Sequence, residues 1–74
     1  MSSQQPRATR KFHLPIKDLP WLVEQAIAMK MGTIDSWDGA KEEALMSFTD
    51  DAKADTFMTV VTDSVHGRSI RLIT

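Results

Sequence analysis

The amino-acid sequence predicts a small α+β domain with the element order β-α-α-β-β, in which two helices pack on one face of a three-stranded antiparallel sheet. Three observations lead to this fold class. Apolar residues alternate along residues 11–16, they recur at helical spacing along residues 19–31 and 37–48, and β-branched residues are frequent from position 56 onward. The chain has 74 residues, which is enough for one domain, and we assign that domain to residues 10–74.

The first strand lies in the stretch KFHLPI. Phe12, Leu14 and Ile16 alternate with polar residues or proline, as in a strand with one buried face. Pro15 has no backbone N–H for a sheet hydrogen bond, so we expect an edge strand, or a strand whose pairing stops near Pro15. The polar residues 1–9 carry no apolar pattern, and we expect them to form a disordered basic arm.

The first helix follows directly. Asp18 can cap its N-terminus, Pro20 fits its first turn, and Gly32 can supply a left-handed residue at its end. Between these positions, five apolar residues have the spacing of a helix face that packs on a core: Leu19, Leu22, Val23, Ala26 and Ile27.

A second helix is predicted to end near residue 48. Asp35 or Ser36 can cap its N-terminus, and Gly39 weakens its first turn. Its apolar face would consist of Trp37, Ala40, Ala44, Leu45 and Phe48.

The rest of the chain predicts a β-hairpin. The stretches TFMTVVTD and SIRLIT are rich in β-branched residues, which is typical of strands. His66-Gly67 between them suits a tight turn, because glycine adopts positive φ freely. We expect this hairpin to pack on the helices or to pair with the first strand, since a lone hairpin is marginally stable in water.

Charge is unevenly distributed, although the formal net charge is only −1. Residues 1–17 contain four basic residues and no acidic residue, whereas residues 35–55 contain seven acidic residues and two lysines, a net charge of −5. This asymmetry favours binding that is guided by charge. The near-neutral total argues against the broad basic field that is typical of nucleic-acid-binding domains.

Composition and spacing argue against several functional classes. The chain has no cysteine, and its two histidines lie on different elements without metal-ligand spacing. It has no nucleophile motif, no paired catalytic carboxylates and no glycine-rich phosphate loop, so we expect no enzyme activity, no metal and no cofactor. No apolar run reaches the roughly 18–20 residues that cross a bilayer, and the N-terminal residues do not resemble a signal peptide. We therefore expect a cytoplasmic protein that does not bind membranes.

These exclusions favour a non-enzymatic protein-binding module, a small regulator or inhibitor that occupies a surface of a larger host protein or complex. Regulators encoded by phages and mobile elements are often of this size and style. The sequence leaves open whether the module is a monomer or a homodimer. The predicted contact residues are one tryptophan, which can anchor a partner, and the acidic segment: Trp21, Asp35, Asp38, Glu42, Glu43, Asp50, Asp51 and Asp55.

The alternative is a DNA-binding transcriptional regulator. Residues 11–48, with an alternating strand, a helix that ends at glycine and a second helix, resemble the ribbon-helix-helix family over about half of the chain. The resemblance implies a dimer whose paired strands read the major groove. It implies nucleic-acid contacts by Lys11 and His13 on the strand and by Arg7 and Arg10 on the arm.

Overall fold

The chain folds as a four-stranded antiparallel sheet with two α-helices, in a computed structural model that describes residues 8–73. The predicted α+β class is confirmed, but the element order is β-α-β-β-α-β rather than β-α-α-β-β. The elements are β1 (Ala8–His13), α1 (Leu19–Met29), β2 (Gly32–Asp38), β3 (Glu43–Phe48), α2 (Asp51–Asp63) and β4 (Arg71–Leu72), with 3-10 turns at Ile16–Asp18 and Val65–Gly67. The strand order β2-β3-β1-β4 is that of the split βαβ, or ferredoxin-like, arrangement.

β1 is an inner strand, so the prediction of an edge strand is wrong. It pairs with β3 along its whole length, from Ala8 opposite Phe48 to His13 opposite Glu43, and with β4 at its end. Pro15 is compatible with this position because pairing stops before it is reached, as the sequence suggested. The strand also begins at Ala8, inside the segment assigned to the arm; residues 1–7 of that arm lie outside the described residues.

The predicted second helix is wrong, because its residues form the β2–β3 hairpin. Apolar residues in this segment fit both the helical and the strand period. Some of them have the spacing of a helix face, but Ala44, Met46 and Phe48 also alternate and are all buried. Pairing of β3 with β1 decides between the two, since tertiary context overrides weak local preference. The Asp38 carboxylate accepts hydrogen bonds from the N–H groups of Ala40 and Lys41 at 2.9 and 3.3 Å, which stabilises the turn.

The stretch TFMTVVTD lies in α2, so its predicted strand is also wrong. Its β-branched residues favour a strand only locally. The helical spacing of Ala54, Phe57, Met58 and Val61, all of which are buried, gives α2 a face on the core. Asp50 caps the helix, because its carboxylate accepts the N–H of Lys53 at 2.8 Å.

α1 forms where the sequence predicts a helix, with Pro20 in the first turn; Asp18 occupies the N-cap position, but its side chain does not make the predicted capping hydrogen bond. Its end differs from the prediction, because Lys30 rather than Gly32 adopts the left-handed conformation, with φ of 55°. Gly32 begins β2 instead. A Cβ atom there would lie 2.6 Å from the Phe48 ring, so this position needs glycine for close packing.

The core lies between the helices and one face of the sheet. Phe48 and Phe57 join β3 to α2 with ring centroids 5.6 Å apart, and each large buried side chain contributes roughly 1.5–3 kcal/mol through the hydrophobic effect. No helix among residues 8–73 covers the opposite face of the sheet, and we refer to it as the open face. The buried residues are Ala8, Phe12, Leu14, Leu22, Ala26, Ala44, Met46, Phe48, Ala54, Phe57, Met58, Val61 and Ile70.

The 3-10 turn Val65–Gly67 stands where the sequence predicts a hairpin turn at His66-Gly67. Gly67 has ordinary negative φ, but its backbone packs directly on the end of α2. A Cβ atom at this position would lie 1.8 Å from the carbonyl oxygen of Val61. Within the described part of the predicted strand SIRLIT, residues 69–73, the strand β4 comprises Arg71–Leu72.

We expect Gly67→Ala to lower the free energy of unfolding by at least about 2 kcal/mol, because the new methyl group would overlap a backbone oxygen and displace the turn. Urea denaturation measures this change. The exposed neighbour Arg68 provides the control, since Arg68→Ala adds no atoms to the same turn and should change stability by no more than about 0.5 kcal/mol. Wild-type stability in Gly67→Ala would contradict the close packing described here.

Candidate binding surfaces

The predicted acidic contact residues are spread over three parts of the structure. Asp50, Asp51 and Asp55 belong to the first half of α2 or its cap. Asp35 is the extra residue of a β-bulge in β2, and its carboxylate accepts a hydrogen bond from the Ser47 hydroxyl. The remaining three lie at the β2–β3 turn and the start of β3: Asp38, Glu42 and Glu43.

Two of these carboxylates bind Arg10, which the DNA-binding alternative predicts to contact nucleic acid. The guanidinium of Arg10 donates to Asp51 at 3.0 Å and to Asp55 at 3.2 Å. Arg10 points to the helix side of β1, and its side chain is only 17% exposed, whereas both carboxylates are largely in solvent. The hydrogen bonds that Arg10 donates to Asp51 and, second, to Asp55 hold its pKa above the ordinary value. The three charges therefore join α2 to β1.

Both tryptophans are half-buried against the core. The Trp37 indole N–H donates to the carbonyl oxygen of Leu14 at 3.0 Å, which ties β2 to the segment after β1. Trp21 packs beside His66, with ring centroids 5.7 Å apart, and near Gly67. The structure thus gives Trp21 contacts within the chain and leaves part of it at the surface.

The residues of the DNA-binding alternative are separated. Lys11 and His13 lie on the open face, Arg10 lies on the other face, and Arg7 is outside the described residues. The ribbon-helix-helix architecture itself does not match, because a hairpin replaces its second helix and β1 is already paired on both sides.

The open face is polar and of mixed charge. The Lys11 ammonium nitrogen and a Glu43 carboxylate oxygen lie 3.9 Å apart. Leu45 belongs to β3, which lies between β1 and β2. Within residues 8–73, no phenylalanine, tyrosine or tryptophan side chain lies on this face, so His13 offers its one aromatic ring on which nucleic-acid bases could stack. By register, the face contains Thr9, Lys11, His13, Thr33, Ser36, Asp38, Glu43, Leu45, Ser47 and Arg71.

The outer side of α1 is an apolar surface that the sequence analysis missed. Val23 and Ile27 are 38% and 70% exposed, although the spacing predicted that they face the core. Pro20 lies on the same side, and Ile16 in the preceding 3-10 turn is 63% exposed. We refer to Ile16, Pro20, Val23 and Ile27 as the α1 ridge. The signal was present in the sequence, because α1 is apolar on more than one side.

A second surface missed by the sequence analysis is a basic depression beside β4. His13, Arg68, Ser69 and Arg71 line this open depression, which has a volume of about 380 Å³. His13 and Arg71 face each other across the β1–β4 ladder, while Arg68 and Ser69 come from the turn before β4. His13 is 55 or more positions away from the other three residues along the chain, so only the fold could reveal the whole cluster.

The described residues contain no group of three or more histidine, aspartate or glutamate side chains that could hold a metal ion. Their two α-helices, of 11 and 13 residues, are too short to cross a bilayer. No protein-family model matches this sequence, and neither a curated protein nor a solved structure matches the chain.

We expect Arg10 to be coupled to Asp51 and Asp55 by about 0.5–1 kcal/mol of unfolding free energy at low salt, as is typical of solvent-exposed ion pairs. A double-mutant cycle of Arg10→Gln with Asp51→Asn/Asp55→Asn, followed by urea denaturation, measures the coupling. The coupling energy should decrease in about 1 M salt, because dissolved ions then screen the attraction between these charges more strongly.

The matched control for this cycle is Asp63→Asn, at the far end of α2, to which Arg10 makes no hydrogen bond. We expect no coupling between Arg10 and Asp63. Equal coupling at both ends of the helix would show a general charge effect rather than the specific pairs.

Proposed function

We propose that this chain is a non-enzymatic protein-binding module that presents the α1 ridge to an apolar groove on a larger protein. One observation carries the proposal. Nine of the eleven residues of α1 are apolar, yet only Leu22 and Ala26 are fully buried. A helix that is apolar on more than its core side is usually covered by further protein, and here the covering surface is not supplied by residues 8–73.

The spacing of the α1 ridge supports binding as a helix in a groove. Pro20, Val23 and Ile27 follow the i, i+3, i+7 pattern that helices use to insert anchors into an apolar groove. Ile16 extends the row by one turn. Transfer of the two isoleucines and the valine out of water contributes roughly 1.5–3 kcal/mol for each fully buried side chain, and part of this offsets the entropy lost on association.

The size and shape of the ridge favour a larger partner over a second copy of this chain. Three aliphatic side chains and a proline cover on the order of a few hundred Å², whereas each partner in a stable complex buries about 800 Å². Two convex helices of this kind would bury only a small area against each other. A groove on a larger partner would surround the ridge and would also contact exposed neighbouring residues such as Glu24 and Lys30.

The proposed contact surface is the α1 ridge rather than the acidic residues that the sequence indicated. Asp51 and Asp55 bind Arg10, while Asp50 and Asp38 accept backbone hydrogen bonds, so these carboxylates have partners within the chain. The apolar side chains of the α1 ridge, in contrast, are not covered by a partner surface from residues 8–73. We propose a regulator or inhibitor that acts by occupying the partner's groove. The phage-type origin and the cytoplasmic location stay predictions from the sequence.

We expect Val23→Gln/Ile27→Gln to weaken partner binding at least tenfold, roughly the effect of losing about 1.4 kcal/mol, because two apolar anchors become polar. The measurement is quantitative capture of proteins from nuclease-treated bacterial lysate by the tagged full-length chain, with bound proteins identified by mass spectrometry. Unfolding free energy should change by no more than about 0.5 kcal/mol, since both positions face solvent.

The control variant is Val60→Gln/Val65→Gln, which removes two exposed valines that are not in the α1 ridge. It should retain the partner that the ridge variant loses. Retention of the same partner by both variants would contradict the proposal. Concentration-dependent dimerisation by sedimentation, abolished by the ridge variant, would assign the ridge to a second copy instead.

A further inference from the structure

We propose that the basic depression binds a phosphate group, either as inorganic phosphate or as the terminal phosphate of a small phosphate ester. Its four lining residues all offer hydrogen-bond donors: the guanidinium groups of Arg68 and Arg71, the Ser69 hydroxyl and the His13 imidazole. An imidazole carries at least one N–H in either charge state. Arginine forks fit the oxygens of phosphate with paired, charge-assisted hydrogen bonds.

The two arginines of the depression are not paired with a carboxylate among residues 8–73, although Glu43 lies opposite His13 in the β1–β3 ladder. None of the residues that line the depression is acidic. The two basic residues at positions 10 and 11 of β1 are paired, by contrast: Arg10 binds two carboxylates, and Lys11 approaches Glu43. The arginines thus lie together in a chain of net charge −1. A bound dianion would remove the repulsion between them.

The backbone that carries these donors is ordered before any ligand binds. Gly67 packs against Val61, the Gly67 N–H donates to the Ser64 carbonyl at 3.0 Å, and the Ile70 N–H donates to the Gly67 carbonyl at 3.0 Å. On the other side, His13 and Arg71 are fixed opposite each other by strand pairing. A site whose backbone is already ordered loses less entropy when it binds a ligand.

The surroundings favour a compact anion over an extended nucleic acid. Beyond the depression, the open face carries Asp38 and Glu43, and the bulged Asp35 bonds to Ser47 on the same face. These carboxylates would repel a polyanion that crosses the sheet. Within the described residues, the face also has no phenylalanine, tyrosine or tryptophan on which successive bases could stack. A single phosphate needs only the depression itself.

The test uses ¹H–¹⁵N NMR spectra of the full-length chain, titrated with sodium phosphate or glycerol 3-phosphate, with sodium chloride at the same ionic strength as the reference. We expect saturable shifts at the amides of residues 13, 68, 69 and 71, with a Kd in the millimolar range that is typical of small polar ligands. The tighter of the two probes identifies whether the site prefers free phosphate or an ester. No saturable shift, or equal shifts with chloride, would overturn the proposal.

Two matched variants separate a specific site from general charge attraction. Arg68→Gln/Arg71→Gln should weaken phosphate binding at least about tenfold. Lys17→Gln/Lys53→Gln removes the same charge from exposed positions elsewhere and should change the Kd by no more than about twofold. Equal weakening by both variants would overturn the site.

A single-stranded oligonucleotide without terminal phosphates tests the polymer alternative. At matched phosphate concentration we expect no saturable shifts. Tighter binding than phosphate, with shifts at Thr9 and Lys11 across the open face, would overturn the assignment to a small ligand. The experiment does not depend on the α1 ridge, because Val23→Gln/Ile27→Gln should bind phosphate as the wild type does.

Discussion

The pairing of β1 with β3 is the constraint on which the rest of the structure depends. Six consecutive residue pairs, from Ala8 with Phe48 to His13 with Glu43, fix which side chains of both strands face the helices. A shift of one residue would reverse every side chain of β1. The observed register buries Phe12, directs Arg10 to α2, and leaves Lys11 and His13 on the open face. The core, the ion pairs of Arg10 and the basic depression therefore all depend on the register of β1 with β3.

This pairing also explains which parts of the fold the sequence could predict. α1 has a start signal, an apolar stripe and little competing strand character, so local rules identify it. The hairpin and α2 are different: the apolar residues of the hairpin fit both the helical and the strand period, and the β-branched residues of α2 favour a strand locally. The alternation of Ala44, Met46 and Phe48 becomes decisive only when β1 lies beside them, and the β-branched residues of TFMTVVTD form a helix because their buried positions complete the core.

The binding surfaces were less predictable than the fold class. Segment charge identified the acidic stretch, but it could not show that Asp51 and Asp55 bind Arg10, which comes from the segment of opposite charge. Helical spacing placed Val23 and Ile27 on the core side, although the sheet covers only the side of α1 that carries Leu22 and Ala26. The basic depression joins residues from the two ends of the chain, and local patterns carry no information about such contacts.

β4 gives the sheet an uneven resistance to local opening. It contributes two residue pairs, and the N–H of Ile73 adds one hydrogen bond of 2.7 Å to the carbonyl of Lys11. So short a strand can detach while the six-pair ladder between β1 and β3 persists, so its amides should exchange with solvent hydrogen well before those of the inner strands. Detachment also parts Arg71 from His13. Any ligand that binds only the closed strand slows this exchange, and the least protected strand of the sheet thereby reports what is bound beside it.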